Sequence, residues 1–198
     1  LTRDVRFVFW QGHEGGQMEG STWYCDHFWD DLNKNCTMYV NIDAIGLEGA
    51  TVYHSEPAME LSLWVKELNE WTLPGVPKDY CFPAKTADMS MFGIGVPSSY
   101  SWMFHTKEIR TAWNNAILGL PYHSEEDTIE HIDRDVMLKG TRAAGGVVMG
   151  MALRRVLPQD FTPMAFEIKK RIGEMQELIK DMPEAQWELE LNKALEMA

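Results

Sequence analysis

The sequence predicts an α/β fold with a largely parallel sheet covered by helices, and three observations carry that prediction. Runs of strand character, VRFVFW (5–10), CTMYV (36–40) and ATVYHS (50–55), alternate with longer runs of helical periodicity. Glycine and proline punctuate the changes between them. Glu14 and Asp43 fall at or just past strand ends, where an open α/β sheet builds its ligand site.

Residues 5–10 read as a first buried strand. Gly20-Ser21 then opens an aromatic helix over 21–35, in which Trp23, His27 and Asp30 or Asp31 recur at helical spacing. The strand 36–43 leads through Gly46 and Gly49 to the strand 50–55, and Pro57 starts a helix over 58–71. Pro74, Pro77 and Pro83 mark 72–87 as loop. A short strand is expected near 92–96, where Phe92, Ile94 and Val96 alternate with glycines, and 98–122 reads as an irregular insertion. His123 follows Gly119 and Pro121 in a loop that ends where Asp127 or Thr128 would cap a helix. Residues 134–157 form the next helix, with Gly145-Gly146 allowing close approach to the sheet and Pro158 stopping it. Beyond 161 two charged helices follow, 161–182 and 183–198. Phe166, Ile168, Ile172, Met175, Leu178 and Ile179 make one apolar stripe on the first, which predicts packing against the second or against a partner.

Composition narrows the function classes. With 198 residues, 45% hydrophobic and 11% aromatic, the chain can build one sizeable core. A formal net charge of −12 excludes a nucleic-acid surface or an anionic membrane as partner, because phosphate neutralisation needs clustered Lys and Arg. No apolar run reaches the length of a membrane span. Cys25, Cys36 and Cys81 are odd in number and lack C-x-x-C spacing, which excludes a zinc knuckle and leaves either a Cys25–Cys36 bridge or buried free thiols.

Three short segments carry the chemistry: GHEGGQMEGSTWY (12–24), NIDAIG (41–46) and PYHSEEDT (121–128). A glutamate, an aspartate and a histidine from three loops form an oxygen and nitrogen donor set suited to zinc. His27, His54, His105 and His131 have no ligand-like spacing and read as structural or exposed, while Glu125, Glu126 and Asp127 read as helix N-terminal charge.

Taken in order, His13-Glu14, Gly20-Ser21, Asn41-Ile42-Asp43, Ala87-Asp88-Met89 before Gly95-Val96-Pro97, and Tyr122-His123-Ser124 resemble the zinc-dependent exopeptidases. That family includes bacterial aminopeptidases, glutamate carboxypeptidase and the transferrin receptor ectodomain. The resemblance runs over about residues 3–160 and rests on five collinear motifs, each weak alone. It implies a three-layer zinc-exopeptidase-like domain, mostly parallel in its sheet and partial in this chain, over 1–158. A helical dimerisation region would begin over 159–198.

The resemblance implies a metal-dependent hydrolase of peptide or other amide bonds. Glu14, Asp43 and His123 would sit at one or two zinc ions, in a site this chain leaves incomplete. Tyr122 would steady the tetrahedral oxyanion and Asp88 would lie by the substrate. The family pair is Glu-Glu, base then ligand, and here it reads His13-Glu14 with one extra residue before Gly20-Ser21. Aligned on the pair, Glu14 is the ligand and His13 takes the place of the base; aligned on Gly20-Ser21, Glu14 is the base. The broken pair supports a second reading, a non-catalytic relative that uses the fold as a binding or dimerisation scaffold. Because the family's first metal histidine and bridging aspartate lie upstream of these motifs, the chain is expected to be part of a longer protein. It would then associate with that missing part or form a homodimer. By the same resemblance the compartment is secreted or extracytoplasmic.

Overall fold

In the computed structural model, which describes residues 1–11, 18–83 and 89–179, the chain divides into two compact units, Leu1–Asp160 and Phe161–Ala198. In chain order the first unit contains α1 (Glu19–His27), α2 (Trp29–Asn35), β1 (Tyr39–Ile42), β2 (Val52–Pro57), a 3-10 turn at Met59–Leu61 and α3 (Ser62–Thr72). There follow β3 (Lys78–Tyr80), α4 (Ser90–Gly93), β4 (Ser98–Phe104), α5 (Lys107–Ala112), a second 3-10 turn at Ile129–His131 and α6 (Arg134–Leu153). The second unit contributes α7 (Thr162–Ile179), on which Phe166, Ile168, Ile172, Met175, Leu178 and Ile179 are all exposed. The expected helix over 183–198 lies outside the described residues.

The four strands form one mixed, mostly parallel sheet in the order β1-β4-β2-β3. β1 pairs with β4 and β2 with β3 in parallel, while β2 meets β4 antiparallel. Side chains alternate across a strand, so register sorts them into two faces. Val40, Tyr53, Ser55, Ser99, Ser101 and Met103 point one way, and Asn41, His54, Glu56, Tyr100, Trp102 and Phe104 the other.

α6 and α3 cover the first face. Tyr53 and Met103 pack with Val136 and Ala143 of α6, and Val40 lies against a cluster of Leu61, Trp64, Val65, Val147 and Met151. Leu61 and Val65 are fully buried, and burying each stabilises the fold by roughly 1.5–3 kcal/mol. On the other face, beside β1, Cys25, Leu32, Met91, Ile94 and Val96 pack with Tyr39 and Trp10. Helices therefore lie on both sides of the sheet, which gives the three layers.

α6 starts at Asp133, whose Oδ1 accepts from the backbone N–H groups of Asp135 (2.9 Å) and Val136 (3.1 Å). Asp133, rather than Asp127 or Thr128, is thus the helix cap, and Glu125, Glu126 and Asp127 lie exposed in the turns ahead of it. The close approach expected at Gly145-Gly146 is real only at Gly146, and its neighbour is α3: a Cβ there would meet Thr72 Cγ2 at 2.6 Å, whereas one at Gly145 would meet nothing within 4 Å.

Several other expectations need correcting. Residues 5–10 form no strand; among the described residues none pairs with them, and Phe7 and Phe9 are 80% and 94% exposed. The helix expected over 21–35 breaks at Phe28 (φ −111°, ψ 23°) into α1 and α2. Pro57 ends β2 instead of opening a helix. The segment near 92–96 is a helical turn with Gly95 at φ +83°, and the supposed insertion opens with β4, an interior strand of the sheet. The proline-rich loop contains β3, which lies at the sheet edge, where a preceding proline costs no ladder hydrogen bond. All three cysteines are free thiols, so no Cys25–Cys36 bridge forms.

Candidate functional site

Asp43 follows the last residue of β1 and is exposed at that strand's C-terminal end. Its backbone N–H still donates to Ser101 O (3.2 Å), which fixes the residue against β4. Its Oδ2 accepts a 2.5 Å hydrogen bond from the Tyr100 hydroxyl. Tyr100 is buried, its ring lying 4.5 Å from that of Trp102. Burial first, and the Asp43 hydrogen bond second, hold the Tyr100 phenol far above its usual ionisation range. It therefore stays a donor and orients the carboxylate, as outer hydrogen-bond partners orient metal ligands.

Tyr122 and His123 are exposed in a turn in which Ser124 N–H donates to Pro121 O (3.0 Å). Their rings stack at 3.8 Å with planes 25° apart. His123 adopts φ 63°, a left-handed conformation uncommon for a residue with a Cβ. Tyr122 lies near enough to Tyr100 to add to the upward push on that phenol. His13, Glu14 and Asp88 lie outside the described residues. Asp43 offers a carboxylate held in place by Tyr100 and His123 an exposed imidazole, both donor types that suit zinc.

A second constellation occupies the same face of the sheet, toward its β3 edge. His54 and Glu56 stand two residues apart on β2, and Asp79 and Cys81 two apart on and just beyond β3. The parallel register sets His54 beside Asp79, and Cys81 N–H extends the ladder to Ser55 O at 3.4 Å. His54 Nδ1 lies 2.8 Å from Asp79 Oδ2, and its Nε2 lies 3.2 Å from Glu56 Oε1 and 3.6 Å from Cys81 Sγ. One ligand atom each from His54, Glu56 and Cys81 falls within 4.8 Å of the others. His54 and Glu56 are buried and Cys81 is exposed. This is a partial zinc-type ligand set, with Asp79 in the position of the carboxylate that commonly fixes a ligating histidine.

Spacing along the chain gave no sign of His54 as a ligand. The available signal was a pair of i, i+2 patterns, His-x-Glu and Asp-x-Cys, each of which puts two donors on one face of a strand. The patterns became a site only through strand pairing. His105 and His131 do match the structural reading: His105 Nε2 lies 2.8 Å from Glu48 O, and His131 Nδ1 lies 3.0 Å from Glu48 Oε2.

Solved structures share this architecture. The zinc aminopeptidase BSAP from Bacillus subtilis superposes with a TM-score of 0.56 at 18% identity over 72% of this chain. LapA from Legionella pneumophila gives 0.59 at 16% identity over 75%. An aminopeptidase from Aneurinibacillus sp. strain AM-1 gives 0.50 at 19% over 66%. The chain spans 35%, 40% and 29% of those three proteins. At such identities the likeness establishes the fold alone. No curated protein sequence matches the chain. The model of peptidase family M28 matches residues 1–148, well over half of the sequence. With the three-layer fold and the strand-end aspartate in place, the chain belongs to peptidase family M28.

Proposed function

We propose that this chain is part of a metal-dependent hydrolase of peptide or other amide bonds, of exopeptidase type, with Asp43, His123 and Glu14 as its zinc ligands. The observation that carries the reading is the family match over residues 1–148 together with Asp43, exposed at the end of β1 and held by Tyr100. Zinc, when bound, supplies a Lewis acid that polarises a carbonyl and lowers the pKa of water. Tyr100 holds Asp43 Oδ2. Tyr122, exposed beside His123, offers a phenol donor to a developing oxyanion. His13 or Glu14 accepts the proton of the attacking water, and which of them does so sets whether Glu14 also ligates. By the family resemblance Asp88 is assigned to contact with the substrate, a peptide or a small amide.

Residues 159–198 are proposed to begin a helical dimerisation region of the kind found in glutamate carboxypeptidase and the transferrin receptor. The exposed stripe on α7 supports that proposal, since soluble proteins seldom leave such a patch open. By the same resemblance the protein works outside the cytoplasm. His13, standing where the family has glutamate, favours a second reading, a non-catalytic relative that retains the fold as a scaffold.

Metal analysis in a Cys81→Ser background, which removes the second donor set on the sheet, and aminopeptidase and carboxypeptidase assays of the full-length protein separate the two, with and without Glu14→Ala and His123→Ala. Stoichiometric zinc with turnover lost in both variants is the expected result. A metal-free, inactive protein that still dimerises would replace the enzyme with the scaffold.

A further inference from the structure

We propose that His54, Glu56 and Cys81 form a second metal site, for zinc or a similarly thiophilic divalent ion, distinct from the strand-end residues around Asp43. Its geometry is close to that of an assembled site. With Zn–N of about 2.0–2.1 Å, Zn–O of about 2.0–2.2 Å and Zn–S of about 2.3 Å, tetrahedral coordination sets N···O near ~3.4 Å and N···S near ~3.6 Å. The corresponding separations from His54 Nε2 are 3.2 Å to Glu56 Oε1 and 3.6 Å to Cys81 Sγ. Two of the three donor separations therefore match an assembled site, and the third lies within 4.8 Å, so an ion seated there would draw Glu56 and Cys81 together about the His54 nitrogen.

The hydrogen bonds agree with that geometry. When Asp79 accepts the Nδ1 proton of a neutral His54, Nε2 presents its lone pair to Glu56 and Cys81. Glu56 and the Cys81 thiol, hydrogen-bonded to each other, then face that lone pair. Replacing the thiol proton by a divalent cation satisfies all three at once, and that proton leaves to solvent. Strands also hold the donors more firmly than loops would. His54 and Glu56 share β2, whose other face is locked in the core through Tyr53, and both are buried. Cys81 is exposed, so solvent reaches the site and leaves room for a fourth ligand. A thiolate and an imidazole in the set select against magnesium and calcium, which take oxygen donors.

The same residues also have the order of a Cys-His-Asp nucleophilic triad. That alternative needs a thiolate near neutral pH. The geometry favours the metal ligand: the imidazole nitrogen that would serve the thiol as base lies nearer Glu56 Oε1, at 3.2 Å, than Cys81 Sγ, at 3.6 Å, so three donors converge on one point rather than one base on one thiol.

The test is titration of the metal-free chain with Co²⁺, reading the thiolate-to-cobalt charge-transfer band, followed by displacement with Zn²⁺. The expected result is a band that saturates at one equivalent and is bleached by Zn²⁺ but not by Mg²⁺. Cys81→Ser, at an exposed position with the fold checked by circular dichroism, removes it. Asp79→Asn keeps it but weakens binding about 10–100-fold. The double variant Asp43→Asn/His123→Ala leaves it unchanged, so failure of the peptidase reading would not touch it. A wild type without the band, a band that survives Cys81→Ser, or one lost in the double variant would each overturn the proposal. So would wild-type Cys81 reacting with iodoacetamide at neutral pH at the rate of a free thiolate.

Discussion

Replacing Tyr100 by Phe removes a single atom from the wall of the candidate site, and the structure sets the expected size of the effect. The ring is buried, 4.5 Å from that of Trp102, and Phe preserves that packing. What disappears is the 2.5 Å hydrogen bond to Asp43 Oδ2. A hydrogen bond to a charged group contributes about 1.5–3 kcal/mol. Asp43 is exposed and recovers water, so the net loss should fall to about 1 kcal/mol, or roughly 2–4 °C in melting temperature for a chain of this size. The larger consequence is loss of orientation: a ligand deprived of its outer partner typically binds metal about 10–100-fold more weakly. Calorimetric zinc titration in a Cys81→Ser background isolates this site, and thermal melting of the metal-free protein reads stability. If Tyr100→Phe left both the melting temperature and zinc affinity unchanged, Tyr100 would have no part in holding Asp43 for a metal.

Two other predictions concern the scaffold. Gly145→Ala should raise the urea midpoint, because a Cβ there meets nothing within 4 Å and alanine favours the helix by about 0.8–1 kcal/mol. Gly146→Ala should lower it, since its Cβ would meet Thr72 Cγ2 at 2.6 Å and Thr72 Oγ1 is tied to Leu68 O at 2.9 Å; equal shifts of the same sign would refute the packing of α6 on α3. Alkali should destabilise the fold. Burial pushes Cys25 up to about 11 and Tyr53 up to about 12, from ordinary values near ~8.5 and ~10. Raised groups of this kind contribute fully below their unfolded-state values and lose that contribution as pH rises toward the folded ones. The urea midpoint should therefore decline from about pH 9 upward, and one that stayed flat to about pH 11 would contradict the burial of both groups.

The sequence revealed those parts of the fold that depend on local pattern and hid those that depend on pairing. Residues 50–55 read as a strand because aromatic and β-branched residues dominate the run, and 134–157 as a helix because its apolar positions recur at helical spacing. β4 escaped notice because Ser98, Ser99 and Ser101 depress its hydropathy. In the fold these serines are buried, with hydroxyls turned to neighbours such as Val96 O and Ser55 Oγ. β3 escaped because three residues at a sheet edge tolerate the flanking prolines that elsewhere mark a loop. Asp43 was legible because a strand end and a short motif coincide there. His54, Glu56, Asp79 and Cys81 were not, because their nearness comes from the register of β2 on β3, which no local pattern specifies.

That register ties the cluster to the core. Moving β2 by one residue would turn His54 and Glu56 toward α6 and send Tyr53 and Ser55 to the opposite face. Such a slip would expose Tyr53, which packs with Met103, Val136 and Ala143, and would place a buried carboxylate among apolar side chains. The packing that stabilises the sheet therefore also specifies the cluster. The antiparallel β2–β4 join carries the argument across the sheet: it sets Glu56 opposite Tyr100, and Tyr100 reaches Asp43 beyond the end of β1. One polar row thus runs from Cys81 through Glu56 and Tyr100 to Asp43 on a face whose other side is core. Of the described family-type residues, Asp43 follows the end of β1 and Tyr122 and His123 lie in an exposed turn, whereas His54 and Glu56 are held by strand pairing.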